Sequence, residues 1–292
     1  MDPPAIVLAR PRCRQQALYA VLDLPPRPDP RHRQVALRPS ACGARPAPLS
    51  RPISRLRTGL AFRDAGRPRY TPHVLQYLIR HGESVSNAAG RVQGQDDVEL
   101  SVTGREQAQA VAAWSRSLLS AADAPPVDEL WSSPLRRARE TAEAIAAATG
   151  LPLRIDERLR ELHAGIFQGH LWADLEARFS EVVTRWRSGD ADYAIPGGES
   201  RAELAARGRA VLELLAARPV CGMIVVAHGG ILTAALGSLV GKKHPLLAAA
   251  AERPFTKLPA LANCSVTLVR WPGPDLVSFN DTTHLATSPP PD

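Results

Sequence analysis

The chain has 292 residues, 45% of them hydrophobic, which is enough to bury a sizeable core in one or two domains. Its formal net charge of +7 arises in one segment, because residues 1–73 hold 14 arginines, no lysine and only four acidic residues. The rest of the chain carries 22 basic and 25 acidic residues (22 − 25 = −3), so the charge does not indicate nucleic-acid binding. The longest apolar run in residues 1–73 is too short to span a membrane.

Residues 1–73 also contain 13 of the 27 prolines and are predicted to be a disordered Arg/Pro-rich extension. Three origins are open: an organellar targeting peptide, although its three serines are few; a tail for an anionic partner; and non-functional sequence ahead of the domain. The start Met1-Asp2-Pro3-Pro4 lacks the pattern of a secretory signal, so a cytoplasmic location is expected, with organellar targeting as the alternative. Residues 286–292 are predicted to be a disordered C-terminal tail.

From Val74 onward, predicted strands and helices alternate. Val74–Arg80 is the first strand, and Thr103 with Glu106 has the spacing of a capping box that opens a helix. A short strand over Glu129–Ser132 precedes a helix that starts near Pro134 and ends at Gly150.

The later part of the chain continues the same alternation. The predicted elements are a strand over Leu153–Ile155, a helical region near Trp172–Arg185, a helix opened by the capping box of Ser200 and Glu203, a buried strand over Met223–Ala227, a helix over Ile231–Leu239, and a strand pair over Val266–Val269 and Leu276–Phe279. The pattern predicts an α/β fold, a three-layer α/β/α sandwich with a mainly parallel sheet, in a domain over residues 74–285.

Two histidines occupy matching positions in this pattern. His81 and His228 each follow a predicted buried strand and precede a glycine. Neighbouring strands would bring both rings to the sheet edge at which α/β proteins bind ligands. Arg80 adds a fork of donors there, and Arg137 lies at the start of a helix, where the partial positive charge favours anions. Two arginines and two histidines predict a phosphate-sized pocket.

Other routes to phosphate or metal chemistry are not indicated. Gly197-Gly198 and Gly229-Gly230 lack the Lys-Ser/Thr of a P-loop, and no His-Glu-x-x-His or Cys-x-x-Cys pattern predicts a metal ligand set, so neither a metal nor a cofactor is expected. A phosphoryl site without a metal needs fixed cations and a nucleophile, for which a neutral imidazole serves. Arg136 and Arg139 are expected to be solvated helix-start arginines.

The chain resembles the histidine phosphatase superfamily, also called the phosphoglycerate-mutase-like family, over about residues 74–285. The family signature R-H-G-E/Q-x-x-x-N reads here as Arg80-His81-Gly82-Glu83 through Asn87. Further segments match in the family's order: Gly90–Gly94, Leu100–Ala108, Ser132–Ala142, Leu159–Gly169, Gly198–Ser200 and Val226–Gly230. The resemblance implies a phosphoglycerate-mutase-like fold.

The resemblance also implies residue roles. His81 would be the nucleophile and form a phosphohistidine. Arg80, Arg137 and His228 would hold the phosphoryl oxygens, with help from Asn87.

Glu161 would protonate the leaving oxygen and then activate water. On residues alone, Glu161 is instead a candidate for a surface ion pair with Arg158 or Arg160. Glu83 is a rival acid, but its place in the motif implies a structural role.

The other polar residues near these motifs are expected to be passive. His163 is interpreted as pocket lining or as having no role. Glu199 and Ser200 are expected to cap a helix and shape the cleft.

The resemblance leaves a choice between a phosphatase and a mutase. The mutases carry a long insertion between the acid and the second histidine that covers the site. Here the interval from Glu161 to His228 is 67 positions (228 − 161), which resembles the shorter phosphatase branch. Arg185-Trp186-Arg187 interrupts the paired arginines of the mutases, and Gly197-Gly198 stands where their paired prolines would lie. The chain is therefore predicted to be a metal-independent phosphomonoesterase that acts through a phosphohistidine on small phosphorylated metabolites.

Two alternatives are kept: phosphoryl transfer of the cofactor-dependent phosphoglycerate mutase type, and an inactive binding module with a basic tail. The expected partner is a small phosphorylated substrate; no nucleic acid or membrane is expected, and a homodimer is left open. Specificity is expected to come from the loop Val92–Glu99 and from Gly165–Pro196.

Overall fold

The computed structural model describes residues 73–121, 125–249 and 260–286. One six-stranded sheet organises them, in the order β3-β2-β4-β1-β5-β6. The strands are β1 (Val74–Arg80), β2 (Glu129–Ser132), β3 (Leu153–Ile155), β4 (Gly222–Ala227), β5 (Val266–Trp271) and β6 (Asp275–Asp281). The helices are α1 (Val85–Ala88), α2 (Val102–Ser120), α3 (Arg136–Thr149), α4 (Leu175–Arg178), α5 (Ser180–Arg187), α6 (Arg201–Ala216), α7 (Gly229–Leu239) and α8 (Pro245–Ala248).

The centre of the sheet is parallel. Strand β4 is buried along its whole length and pairs in parallel with β1 on one side and β2 on the other. Its continuous apolar sequence suits this position, since both faces are covered. Strand β3 extends the parallel part, whereas β5 and β6 add antiparallel strands beyond β1. The mainly parallel sheet is confirmed.

Helices cover both faces of the sheet and give the predicted three layers. Apolar residues of α2 and α3, such as Val111 and Ile145, pack on one face against Ile79. Residues of α6 and α7, such as Leu212 and Ile231, pack on the other face with neighbours on β4. The β1 residues alternate between these two cores because successive side chains of a strand point to opposite faces.

One predicted helix start is wrong. Helix α2 is capped by Ser101, whose hydroxyl oxygen accepts from the backbone N–H of Gly104, and not by Thr103. The same Ser101 hydroxyl donates to Glu83, so a contact outside the helix fixes the capping residue. Two other predicted helix ends are confirmed. Ser200 and Glu203 form the capping box that opens α6, and α3 ends at Gly150, whose own backbone is in the left-handed conformation.

The loop after β1 lies directly against the start of α2. A Cβ added at Gly82 would lie 2.4 Å from the carbonyl oxygen of Gly104, and one added at Gly104 would collide with the backbone of Glu83. Two glycines therefore allow the backbone that carries His81 to touch the helix.

Parts of the predicted domain organisation lie outside the described residues. These parts are the N-terminal extension, apart from His73, and the C-terminal tail, apart from Ala286. Within the described ranges, no helix combines the length and apolarity needed to cross a bilayer.

Candidate active site

The register of two parallel strands places the two predicted histidines side by side. Arg80 at the end of β1 is paired with Ala227 at the end of β4, and the backbone N–H of His81 donates to the Ala227 carbonyl (3.0 Å). The next residues along the two strands are His81 and His228, and their ring centroids lie 5.0 Å apart. Only 3% of His81 and none of His228 is exposed.

Two hydrogen bonds define the tautomer of His81. Its Nδ1 lies 2.6 Å from the carbonyl oxygen of Gly82, which can only accept, so Nδ1 carries the proton. Its Nε2 accepts from Nε of Arg137 at 3.3 Å. Nε2 therefore presents a lone pair beside a guanidinium, as a nucleophile for an anionic phosphoryl group requires.

Arg137 is a buried cation, only 1% exposed. Its other donors reach the carbonyl oxygens of Gly94 and Asp96, both at 2.8 Å. Burial lowers the pKa of Arg137 to about 10, so it stays charged at neutral pH. A buried charge is costly unless it is paired, and a phosphoryl dianion would pair it. Arg80 adds a second guanidinium to the same cavity and donates to the carbonyl of Leu261.

His228 is held by Ser133, a residue that the sequence interpretation did not single out. The Ser133 hydroxyl lies 2.8 Å from Nε2 of His228 and accepts from the backbone N–H of Leu135, which leaves its own proton for the ring. Nδ1 of His228 is buried and has no hydrogen-bond partner among the described residues. Burial, and then the charges of Arg137 and His81, hold the pKa of His228 well below its usual range. When the Ser133 hydroxyl donates to Nε2, the neutral ring carries its proton on Nδ1, the nitrogen without a partner.

Glu161 lies at the cavity wall and is not in a surface ion pair. Its carboxylate accepts from the backbone N–H groups of Gly230 (2.8 Å) and Ile231 (3.0 Å), in the first turn of the helix that follows His228. The expected surface partners are paired elsewhere, Arg158 with Asp156 and Arg160 with Glu157. The helix start therefore fixes the carboxylate, since backbone N–H groups there favour an anion.

A second arginine network holds the segment that carries Glu161. Arg207 of α6 donates to the carbonyls of Arg158, Arg160 and Glu161, at 2.6 to 3.2 Å. The same guanidinium makes a bidentate pair with Glu199, at 3.0 and 2.8 Å. Glu199 lies only eight positions from Arg207, but the spacing of the pair gives no sign of this role, because the carbonyl partners of Arg207 lie more than 40 positions away.

The cavity has a volume of about 450 Å³ and is lined by Arg80, His81, Asn87, Arg137 and Glu161 of the predicted site. His228 is not among the lining residues, and its ring lies next to that of His81, 5.0 Å between centroids. The Asn87 side-chain oxygen accepts from the backbone N–H of Ser84, which leaves its amide NH2 for the cavity. Further wall residues come from the loop and the region expected to set specificity, among them Gln93, Phe167 and Trp186.

The residues expected to have no catalytic role make structural ion pairs and hydrogen bonds. Arg136 is exposed between Glu99 and Glu140, and Arg139 pairs with Glu143. Glu83 accepts from Ser101.

Two further polar residues near the site also have structural contacts. His163 accepts from the backbone N–H of Gly165 and does not line the cavity. Asn263, missed in the sequence, donates to the carbonyl of His81. It stands beyond the last matching motif, so no local signal could have identified it.

The described residues contain no group of three or more His, Cys, Asp or Glu side chains placed to hold a metal ion. An α/β protein that buries two histidines beside guanidinium forks belongs to the class that binds and transfers phosphoryl groups. Within that class the chain is a member of the histidine phosphatase superfamily, branch 1, whose family model matches residues 76–282. It is therefore a histidine phosphatase, as the motifs indicated.

Individual relatives are similar over most of their length. A glucosyl-3-phosphoglycerate phosphatase of Mycobacterium tuberculosis is 39% identical over 196 residues, covering 62% of this chain and 83% of the relative. A probable phosphoglycerate mutase of Photorhabdus laumondii is 38% identical over 223 residues, covering 72% of this chain and 94% of the relative. The native structure of a mycobacterial glucosyl-3-phosphoglycerate phosphatase matches with a TM-score of 0.58 at 32% identity, covering 72% of this chain and all of that one.

Proposed function

We propose that this histidine phosphatase hydrolyses small phosphate monoesters, with His81 as the nucleophile. The observation that carries the proposal is the His81 tautomer, in which the Gly82 carbonyl holds the Nδ1 proton and Nε2 keeps its lone pair beside Arg137. An imidazole arranged in this way is ready to attack phosphorus without first losing a proton.

In the first step, Nε2 of His81 bonds to phosphorus and the bond to the ester oxygen breaks. Arg80 and Arg137, which line the cavity, balance the charge on the phosphoryl oxygens. His228 is fully buried next to His81, and its unpartnered Nδ1 would donate to one of these oxygens once they displace the cavity wall between them. Glu161 gives a proton to the leaving alkoxide, so a neutral alcohol departs.

In the second step, water attacks the phosphohistidine and the bond between nitrogen and phosphorus breaks. The Glu161 carboxylate takes the proton from water, inorganic phosphate leaves, and His81 returns to its starting tautomer. The same carboxylate serves both steps, which its fixed position on α7 allows.

A mutase would share the phosphohistidine, and the relative from Photorhabdus laumondii bears that name. The two activities give different products from 3-phosphoglycerate in the presence of a bisphosphate primer. A phosphatase releases inorganic phosphate, whereas a mutase yields the 2-phospho isomer.

The test is His81→Ala. The covalent route is then lost, so turnover and phosphoenzyme formation should both disappear. Turnover is measured as phosphate release, and the phosphoenzyme by labelling with a phosphorus-labelled ester followed by an alkaline denaturing quench, because a P–N bond is lost in acid. His163→Ala is the matched control and should retain both signals, since His163 does not line the cavity. Substantial hydrolysis by His81→Ala would refute the assignment.

A further inference from the structure

The cavity extends beyond the phosphoryl-binding groups into a part with apolar walls. We call this part the apolar chamber and define it by six residues: Val92, Ala164, Phe167, Trp172, Trp186 and Ile195. All except Trp172 are buried, and the six belong to a hydrophobic cluster separate from the two cores on the sheet. The mechanism described above uses none of them.

The volume of the cavity exceeds what a phosphoryl group needs. A water molecule takes about 30 Å³ of liquid, so a phosphoryl group fills on the order of 100 Å³. Most of the 450 Å³ is left for the alcohol part of the ester. A pocket of this size can bury most of a ligand larger than a three-carbon alcohol.

The chemistry of the walls also restricts the alcohol. The six side chains offer only two indole N–H groups for hydrogen bonds. A flexible chain without an apolar face gains little from these walls, whereas the flat face of an aromatic ring or the C–H face of a sugar gains from burial against an aromatic wall. The hydroxyls of a sugar ring can be met by Arg91 and Gln93, which line the same cavity.

Two of the chamber walls are packed against neighbouring side chains. The guanidinium of Arg201 lies 3.9 Å from the centroid of the Trp186 ring, and Phe167 packs against Phe179 at 5.7 Å. Walls already fixed by packing lose little freedom when a ligand binds, so their contact area is available for recognition.

We infer that the natural substrates are phosphate monoesters whose alcohol part presents the apolar face of a six-membered ring, from a sugar or an aromatic group. Trp172 and Trp186 are the residues that select for that ring. This inference rests on the proposed phosphatase activity, because it assigns the leaving group of the same reaction.

The test compares three esters: glucose 6-phosphate and phenyl phosphate, which carry the two kinds of ring, and glycerol 2-phosphate, which carries none. For each ester, the kcat/KM of the variant is divided by that of the wild type, so that differences in leaving-group reactivity between the esters cancel. Trp172→Ala should lower kcat/KM for a ring ester about 10- to 100-fold, mostly through KM, and change that for glycerol 2-phosphate less than about threefold. Trp186→Phe keeps the cluster filled and should act in the same direction.

Trp114→Ala is the matched control, because Trp114 packs on α2 against Tyr77 and does not line the cavity. It should leave the ratio between esters unchanged. An equal effect of Trp172→Ala on all three esters would overturn the inference and leave the phosphatase intact, as would a wild-type preference for glycerol 2-phosphate over both ring esters. Failure of the wild type to release phosphate from any ester would overturn the proposed function itself. Selective loss of one ring ester would support the inference and identify the ring.

Discussion

At the residue scale, the site depends on which atom each side chain turns toward the substrate. His81 holds its Nδ1 proton on a carbonyl and has an unprotonated Nε2 that accepts from Arg137, whereas His228 uses Nε2 on Ser133 and has an unpartnered Nδ1. Glu161 differs, because both of its oxygens already accept from backbone N–H groups. Its place in the reaction is therefore the assignment most open to test by substitution.

Replacing Glu161 by glutamine should slow turnover by roughly 10²- to 10⁴-fold, the usual contribution of a positioned acid–base group. The loss should be larger for an alkyl phosphate than for an aryl phosphate, because an alkoxide needs the proton more. Steady-state kinetics on the two esters measure this difference.

Thermal unfolding of Glu161→Gln is followed in parallel, since an amide group can accept only through its one oxygen. A uniform loss on both esters, matched by a lower Tm, would indicate a structural effect and count against the acid role.

At the element scale, the segment from Arg158 to Glu161 belongs to no strand or α-helix. The Arg207 side chain of α6 holds three of its carbonyls, and Gln95 also donates to the carbonyl of Glu161. Arg207 and Glu199 together form a half-buried bidentate pair against three carbonyls. A guanidinium fork can satisfy this set, whereas an ammonium group cannot match its geometry. The position of Glu161 therefore depends on a helix that contributes no group to the reaction.

Arg207→Lys should reduce kcat about tenfold with little change in KM, since a displaced carboxyl weakens proton transfer more than binding. As for Glu161→Gln, the loss should be larger for an alkyl phosphate than for an aryl phosphate. Arg209→Lys is the matched control, because Arg209 lies on the same helix and pairs with Glu213 in solvent. A defect confined to stability, with kcat unchanged, would contradict a positioning role.

Most elements could be predicted from the sequence, because their signals are local. The apolar run of β4 and the capping box at Ser200 each lie within a few residues. The cap of α2 could not be predicted from the sequence, because the Ser101 hydroxyl is held in place by Glu83 across the loop. Ser133 and Arg207 were missed for the same reason, because their partners are brought together only by the fold.

At the scale of the whole molecule, a neutral buried histidine couples folding to pH. The pKa of His228 is held well below its unfolded value of about 6.5 by burial and by neighbouring cations. Below that value, the unfolded chain binds a proton that the folded protein does not. The free energy of unfolding is therefore at its full value, as far as His228 is concerned, above about pH 6.5. It decreases as the pH falls from there toward the pKa of His228 in the folded protein.

Urea unfolding between pH 8 and pH 5 measures this effect. The wild type should lose stability below about pH 6.5 with a slope near 1.4 kcal/mol per pH unit from His228, and His228→Gln should show a shallower slope. His284, whose pKa is also lowered by burial, contributes in the same direction, so the slope of the variant does not vanish. Equal slopes for the two proteins would show that His228 does not titrate in this range.

The contact between Gly82 and Gly104 lies directly beneath His81, the proposed nucleophile. A single methyl group at either position would push the strand end and the helix apart, and a shift of about 1 Å can cost a hundredfold in rate. A methyl group added at one position cannot be accommodated by a change at the other, because a glycine has no side-chain atom that could be removed to make room. Redesign of this enzyme therefore has more freedom in the walls of the apolar chamber than in the backbone beneath the His81 ring.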